Sequence, residues 1–86
     1  MMKSFVYVIK DENGIHARPA GLLVKEAKKY DSKIMIKGNG KSTDATELME
    51  IMAMDIKCND TVEVEVTGAD EAFVCAKMER FFETEL

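Results

Sequence analysis

Of the 86 residues, none is tryptophan, one is proline, one is histidine and two are cysteine. Each shortage closes off a class of function. Cys58 and Cys75 form no CxxC and have no second ligand set nearby, so zinc, redox-dithiol and disulfide-framework readings lack support. Both are read as free thiols of a reducing compartment. A metal-binding ferredoxin-like domain would need a clustered ligand set, and His16, Cys58 and Cys75 are not motif-spaced; no metal and no dissociable cofactor is expected. Twelve basic residues against sixteen acidic ones give a net charge of −4, which argues against general nucleic-acid binding. Proteins or small anions are the expected partners. No apolar run approaches the roughly 20 residues that a membrane span needs, and Met1-Met2-Lys3-Ser4 opens no apolar leader core. The expectation is a cytoplasmic protein without membrane insertion.

What is present suffices for a core: apolar residues make up 47% of the chain, enough for one domain over residues 1–86. Phe5 to Ile9 is β-branched and aromatic, and it runs into Lys10-Asp11-Glu12 and the turn signal Asn13-Gly14. A return strand is disfavoured because Pro19 would remove a ladder donor, whereas proline fits a first helical turn. Ala20, Leu23, Val24 and Ala27 then fall at i, i+3, i+4 and i+7, the core stripe of a helix. Lys25, Lys28 and Lys29 lie off that stripe.

Lys33 to Lys37 alternates loosely, and the compact turn Gly38-Asn39-Gly40 predicts a hairpin with a short strand over residues 41 to 45. Glu47 to Ala53 carries Leu48, Ile51 and Met52 at helical spacing and leaves Met49 on another side, exposed. Thr61 to Thr67 alternates three valines with two glutamates, so one face of the sheet is wet. Asp70 is the predicted N-cap of a last helix, whose core positions are Val74, Cys75, Met78, Phe81 and Phe82. The order β-α-β-β-α-β-α predicts an α+β open-faced sandwich, with an antiparallel four-stranded sheet and helices on one face. Ferredoxin-like folds share much of this order, and order alone does not give function.

The chemistry concentrates at His16-Ala17-Arg18. A helix entrance offers free N–H groups and a positive dipole end, where an anionic group attached to His16 would be stabilised. The Arg18 guanidinium suits phosphate oxygens. Imidazole is a capable nucleophile near neutral pH, and an N-phosphorylated imidazole passes its phosphoryl group on readily. The plain alternative is a surface histidine beside an arginine in a turn.

The stretch Asn13-Gly14-Ile15-His16-Ala17-Arg18-Pro19-Ala20, with Gly40-Lys41-Ser42 and the chain length, resembles HPr. That family is the histidine-containing phosphocarrier of the bacterial phosphoenolpyruvate-dependent sugar phosphotransferase system. The resemblance covers nearly the whole chain and implies the HPr-like fold. It implies that His16 takes a phosphoryl group on Nδ1 from Enzyme I and passes it to IIA domains of sugar permeases. Arg18 would contact the phosphoryl group, and the backbone N–H groups of Ala17 and Arg18 would support it. Such a protein is a covalent carrier rather than a conventional enzyme, and it should work as a monomer.

The same resemblance maps the partner surface to Leu48, Met49 and Met52, adaptable side chains suited to several partners. Exposure is expected only for Met49, the other two competing for the core. Lys25 and Lys28 would steer an acidic partner. The serine that a dedicated kinase modifies in some HPr proteins corresponds to Glu47, which has no hydroxyl. Glu47 is therefore either a fixed charge near the docking surface or simply a favourable acid at a helix start. With the Met-rich helix, it leaves a second reading open, an HPr-like regulatory module that binds regulatory proteins with little carrier flux.

Overall fold

The computed structural model describes residues 2–86. Its elements follow the expected order: β1 (Lys3–Val8), α1 (Ala17–Ala27), β2 (Lys33–Gly38), β3 (Lys41–Asp44), α2 (Leu48–Ala53), β4 (Thr61–Thr67) and α3 (Glu71–Glu85). The sheet runs β1-β4-β2-β3 with every pair antiparallel. The last long strand thus inserts between β1 and β2, which makes β4 and β2 the interior strands. They carry the cleanest apolar faces: Ile34, Ile36, Val62, Val64 and Val66 are all buried. The opposite face is open to solvent, where Lys37 Nζ meets Glu65 Oε2 at 3.0 Å.

Strand periodicity is harder to read in β1 because the wet face is itself apolar. Phe5 points into the core, while Val6 and Val8 are exposed on the other side. As an edge strand, β1 has only one neighbour to cover those valines. On the covered face, Phe82 of α3 stands edge-on to Phe5 at 5.4 Å and to Tyr7 at 5.8 Å. Aromatic pairs favour this T-shaped approach, in which a ring edge meets a ring face. Val74, Met78 and Phe82 are the fully buried positions of α3, with Cys75 and Phe81 packed partly against the core.

Asp70 is the N-cap of α3 as expected, but its carboxylate makes no cap bond and instead accepts the hydroxyl hydrogen of the buried Ser32. Glu71, the first helical residue, reaches back to the preceding turn, where its Oε1 accepts the Gly68 N–H at 3.1 Å. In α2, Leu48 and Met52 do not share the core stripe with Ile51: they are 37% and 40% exposed, beside Met49 at 75%. A six-residue helix lying across the rim buries one narrow line. Ile51 and the following Met54, three residues apart, occupy it.

The hairpin turn does more than reverse the chain. The Asn39 side-chain amide donates to the carbonyls of Met54 and Asp55 at 3.0 and 3.1 Å, and Lys41 Nζ donates to Ala53 O at 3.1 Å. Carbonyls at a helix end lack intrahelical donors, and here the β2–β3 turn supplies them. No helix among the described residues is long and apolar enough to cross a membrane.

Candidate functional site

Residues 10 to 16 form a loop whose shape is set almost entirely by the backbone. The N–H groups of Lys10 and Asp11 both donate to Leu86 O, at 2.7 and 2.8 Å, which ties the loop to the end of α3. Gly14 N–H closes a turn onto Asp11 O at 2.9 Å, and Asn13 N–H donates to Asp11 Oδ1 at 2.9 Å. This is the side-chain turn for which aspartate is favoured. Gly14 has φ +66° and packs against the Ile56–Lys57 backbone, while Ile15 N–H donates to Ile56 O at 3.0 Å. The chain is thereby clamped just before His16.

His16 is the N-cap of α1. Its backbone is extended (φ −96°, ψ −174°), and its carbonyl accepts the first helical bond from Ala20 N–H at 2.9 Å. An N-cap side chain ordinarily accepts a hydrogen bond from the N–H of the second or third helical residue. The His16 imidazole makes no such bond and is 41% exposed. Pro19 has no N–H, so the helix entrance presents two donors, those of Ala17 and Arg18. Neither has a hydrogen-bond partner among the described residues. The entrance is an anion-binding arrangement whose own cap leaves it open. The Arg18 side chain is exposed on the same first turn.

Beside His16 lies a shallow cavity of about 530 Å³, walled by Ile15, His16 and Ala17 on one side and Met52, Ile56 and Cys58 on another. Glu12, Asn13, Asp55 and Lys57 complete its rim. The tertiary fold therefore brings His16, Ala17 and Met52 together across some 35 residues of chain. Met49 and Leu48 extend the exposed apolar surface along α2. Glu47 is the exposed N-cap of α2, without a side-chain cap bond. Lys25 and Lys28 fall outside this group: they lie nine and twelve residues beyond His16, roughly 13 and 18 Å along the helix axis at 1.5 Å per residue. Lys25 does share a face with Arg18, seven residues earlier.

Sequence reasoning missed Asp11, Asp55 and Lys57. Asp55 and Lys57, whose side chains pair at 3.4 Å, follow α2 in an irregular stretch that carries no periodic signal. Asp11 Oδ2 stands 3.8 Å from His16 Nε2, an ion-pair distance. Both cysteines are free thiols. Cys58 reaches Lys10 O at 3.8 Å, while burial, reinforced by Glu79 and opposed by Lys3, pushes the Cys75 thiol up. No group of three or more histidine, cysteine or carboxylate side chains that could hold a metal occurs among the described residues.

An exposed histidine that caps a helix without closing it, on an open-faced antiparallel sandwich, defines a small α+β protein with an unclosed helix entrance. The comparisons with known proteins make the class specific. The family model described as the PTS HPr component phosphorylation site matches residues 3–84, and the chain belongs to the HPr phosphocarrier family.

The chain is 40% identical over 76 residues to the phosphocarrier protein HPr of Buchnera aphidicola, covering 88% of this chain and 89% of that one. It is 40% identical over 70 residues to the HPr of Treponema pallidum, covering 81% and 80%. Among solved structures, the histidine-containing phosphocarrier protein of a mycoplasma superposes with a TM-score of 0.91 at 34% identity, over 98% of this chain and 97% of that one. An HPr from Bacillus anthracis superposes with a TM-score of 0.87 at 27% identity, over 94% and 96%.

Proposed function

We propose that this protein carries a phosphoryl group on His16, accepting it from Enzyme I and delivering it to IIA domains in sugar uptake. The observation that carries this reading is the state of the α1 entrance. The capping residue is a nucleophile, its side chain is unspent, and the N–H groups of Ala17 and Arg18 are unpartnered. In the acceptance step the imidazole lone pair forms the nitrogen–phosphorus bond as the bond to the donor's imidazole breaks. The electron pair returns to the donor nitrogen. The product places a dianionic group over two N–H donors and the positive end of the helix dipole, with the Arg18 guanidinium available to its oxygens.

The site's openness fits a carrier. Equal help to bound phosphate and to transition state would trap the group, and two backbone donors with one solvated arginine hold it weakly enough to be passed on. Docking falls to Met52, Met49 and Leu48, an exposed apolar strip that begins at the wall of the His16 cavity. Lys25, in line with Arg18, and Lys28 lie farther along α1, outside that strip, where their charge would steer an acidic partner.

The test is intact mass after incubation with Enzyme I, magnesium and phosphoenolpyruvate. One acid-labile phosphoryl group on the wild type, absent in His16→Ala, is expected. With active Enzyme I and folded protein, no adduct on the wild type would reject the carrier reading in favour of a regulatory binding module.

A further inference from the structure

We propose that Asp11 is a positioning residue for His16: it holds the imidazole proton on Nε2 and so leaves the Nδ1 lone pair as the ring's nucleophile. The chemistry rests on the carrier reading above, whereas the location of the proton can be observed without any phosphoryl donor.

The Asp11 carboxylate is held by the loop and is not a free surface charge. Oδ1 accepts the Asn13 N–H at 2.9 Å, the Asp11 backbone N–H donates to Leu86 O at 2.8 Å, and its carbonyl accepts the Gly14 N–H at 2.9 Å. With three bonds spent on its placement, the side chain is 28% exposed and aims Oδ2 at His16 Nε2, 3.8 Å away. It is the one carboxylate within 4 Å of a ring nitrogen among the described residues. At that distance there is no hydrogen bond, but a fixed negative charge still favours the tautomer with its N–H on the nearer nitrogen. A neutral imidazole has one N–H and one lone pair, so fixing the proton on Nε2 leaves Nδ1 free to attack.

The same contact helps after attack. When Nδ1 bonds to phosphorus and the donor's nitrogen–phosphorus bond breaks, the Nε2 proton stays and the ring becomes an imidazolium. Its positive charge then faces Asp11. On delivery the Nδ1–phosphorus electron pair returns to the ring, and the Nε2–H tautomer is restored.

The test compares wild type with Asp11→Asn and Asp11→Ser by nitrogen-15 NMR of the His16 ring, at a pH where the ring is neutral. Asparagine keeps an oxygen for the Asn13 N–H but turns an amide donor toward Nε2. Serine keeps a turn acceptor and presents nothing to the ring. The wild type is expected to be mainly the Nε2–H tautomer. Asp11→Asn should move the tautomer ratio toward Nδ1–H by about two- to fivefold, the range of exposed charge pairs, with Asp11→Ser in between. Phosphoryl incorporation from phosphoramidate, a small donor that needs no docking, should slow in Asp11→Asn in proportion to the Nε2–H population lost, a smaller factor than the change in ratio. An unchanged tautomer ratio, equal shifts in both variants, or a shifted ratio with an unchanged rate would each overturn the proposal. Failure of the carrier reading would appear separately, as no adduct on the wild type with Enzyme I.

Discussion

Gly14 shows how much of the site depends on a residue without a side chain. A Cβ there would collide with the Ile56 carbonyl oxygen and stand 2.6 Å from Lys57 Cα, at a φ of +66° that other residues rarely adopt. Gly14→Ala is expected to cost more than about 2 kcal/mol, read from urea denaturation. Because the same contact sets the approach to His16, phosphoryl acceptance should fall even in molecules that remain folded. Asn13-Gly14 was legible in the sequence as a turn, and Pro19 as a first-turn residue. The role of Asp11 was not, since its carboxylate reaches the histidine only after the Asn13 and Gly14 N–H groups have folded the loop around it.

At the scale of the element, α2 separates stability from recognition within six residues. Ile51 is fully buried, whereas Met49 is 75% exposed. Ile51→Ala should destabilise the protein by about 2–5 kcal/mol through lost burial and the cavity left behind. Met49→Gln should leave the unfolding free energy within about 0.5 kcal/mol, yet slow transfer from Enzyme I while leaving the reaction with phosphoramidate unchanged. Denaturant midpoints and the two transfer rates check both outcomes. The sequence pattern placed Leu48 and Met52 with Ile51 because i, i+3, i+4 spacing marks a helix face wherever it occurs. It does not say how wide a stripe the neighbours leave room for, and here the rim position admits only Ile51 and Met54. In α3 the signal was stronger because fifteen residues repeat the pattern, and Val74, Met78 and Phe82 are buried as expected.

The whole molecule responds to acid partly through Glu26, near the end of α1. Burial alone would raise its carboxyl, but hydrogen bonds from Lys29 and Tyr30 and the charges of Lys29 and Lys77 outweigh that and hold it below its ordinary 4.5. A carboxyl lowered on folding contributes stability that is present above 4.5 and lost as pH falls through the folded value. Glu26→Gln should therefore flatten the acid side of the stability profile, seen as a smaller fall in urea midpoint below about pH 5. What the sequence by itself determined about this protein is local: seven elements in order, the valine face of β4, and a histidine set where a helix begins. Each follows from periodicity or backbone preference within a few neighbouring residues. Tertiary structure alone decided the insertion of β4 between β1 and β2, the latch of Asn39 on the end of α2, and the meeting of Asp11, His16 and Met52. Those depend on which surfaces can be buried together and which backbone groups remain to be satisfied once they are, and distances along the chain do not encode either.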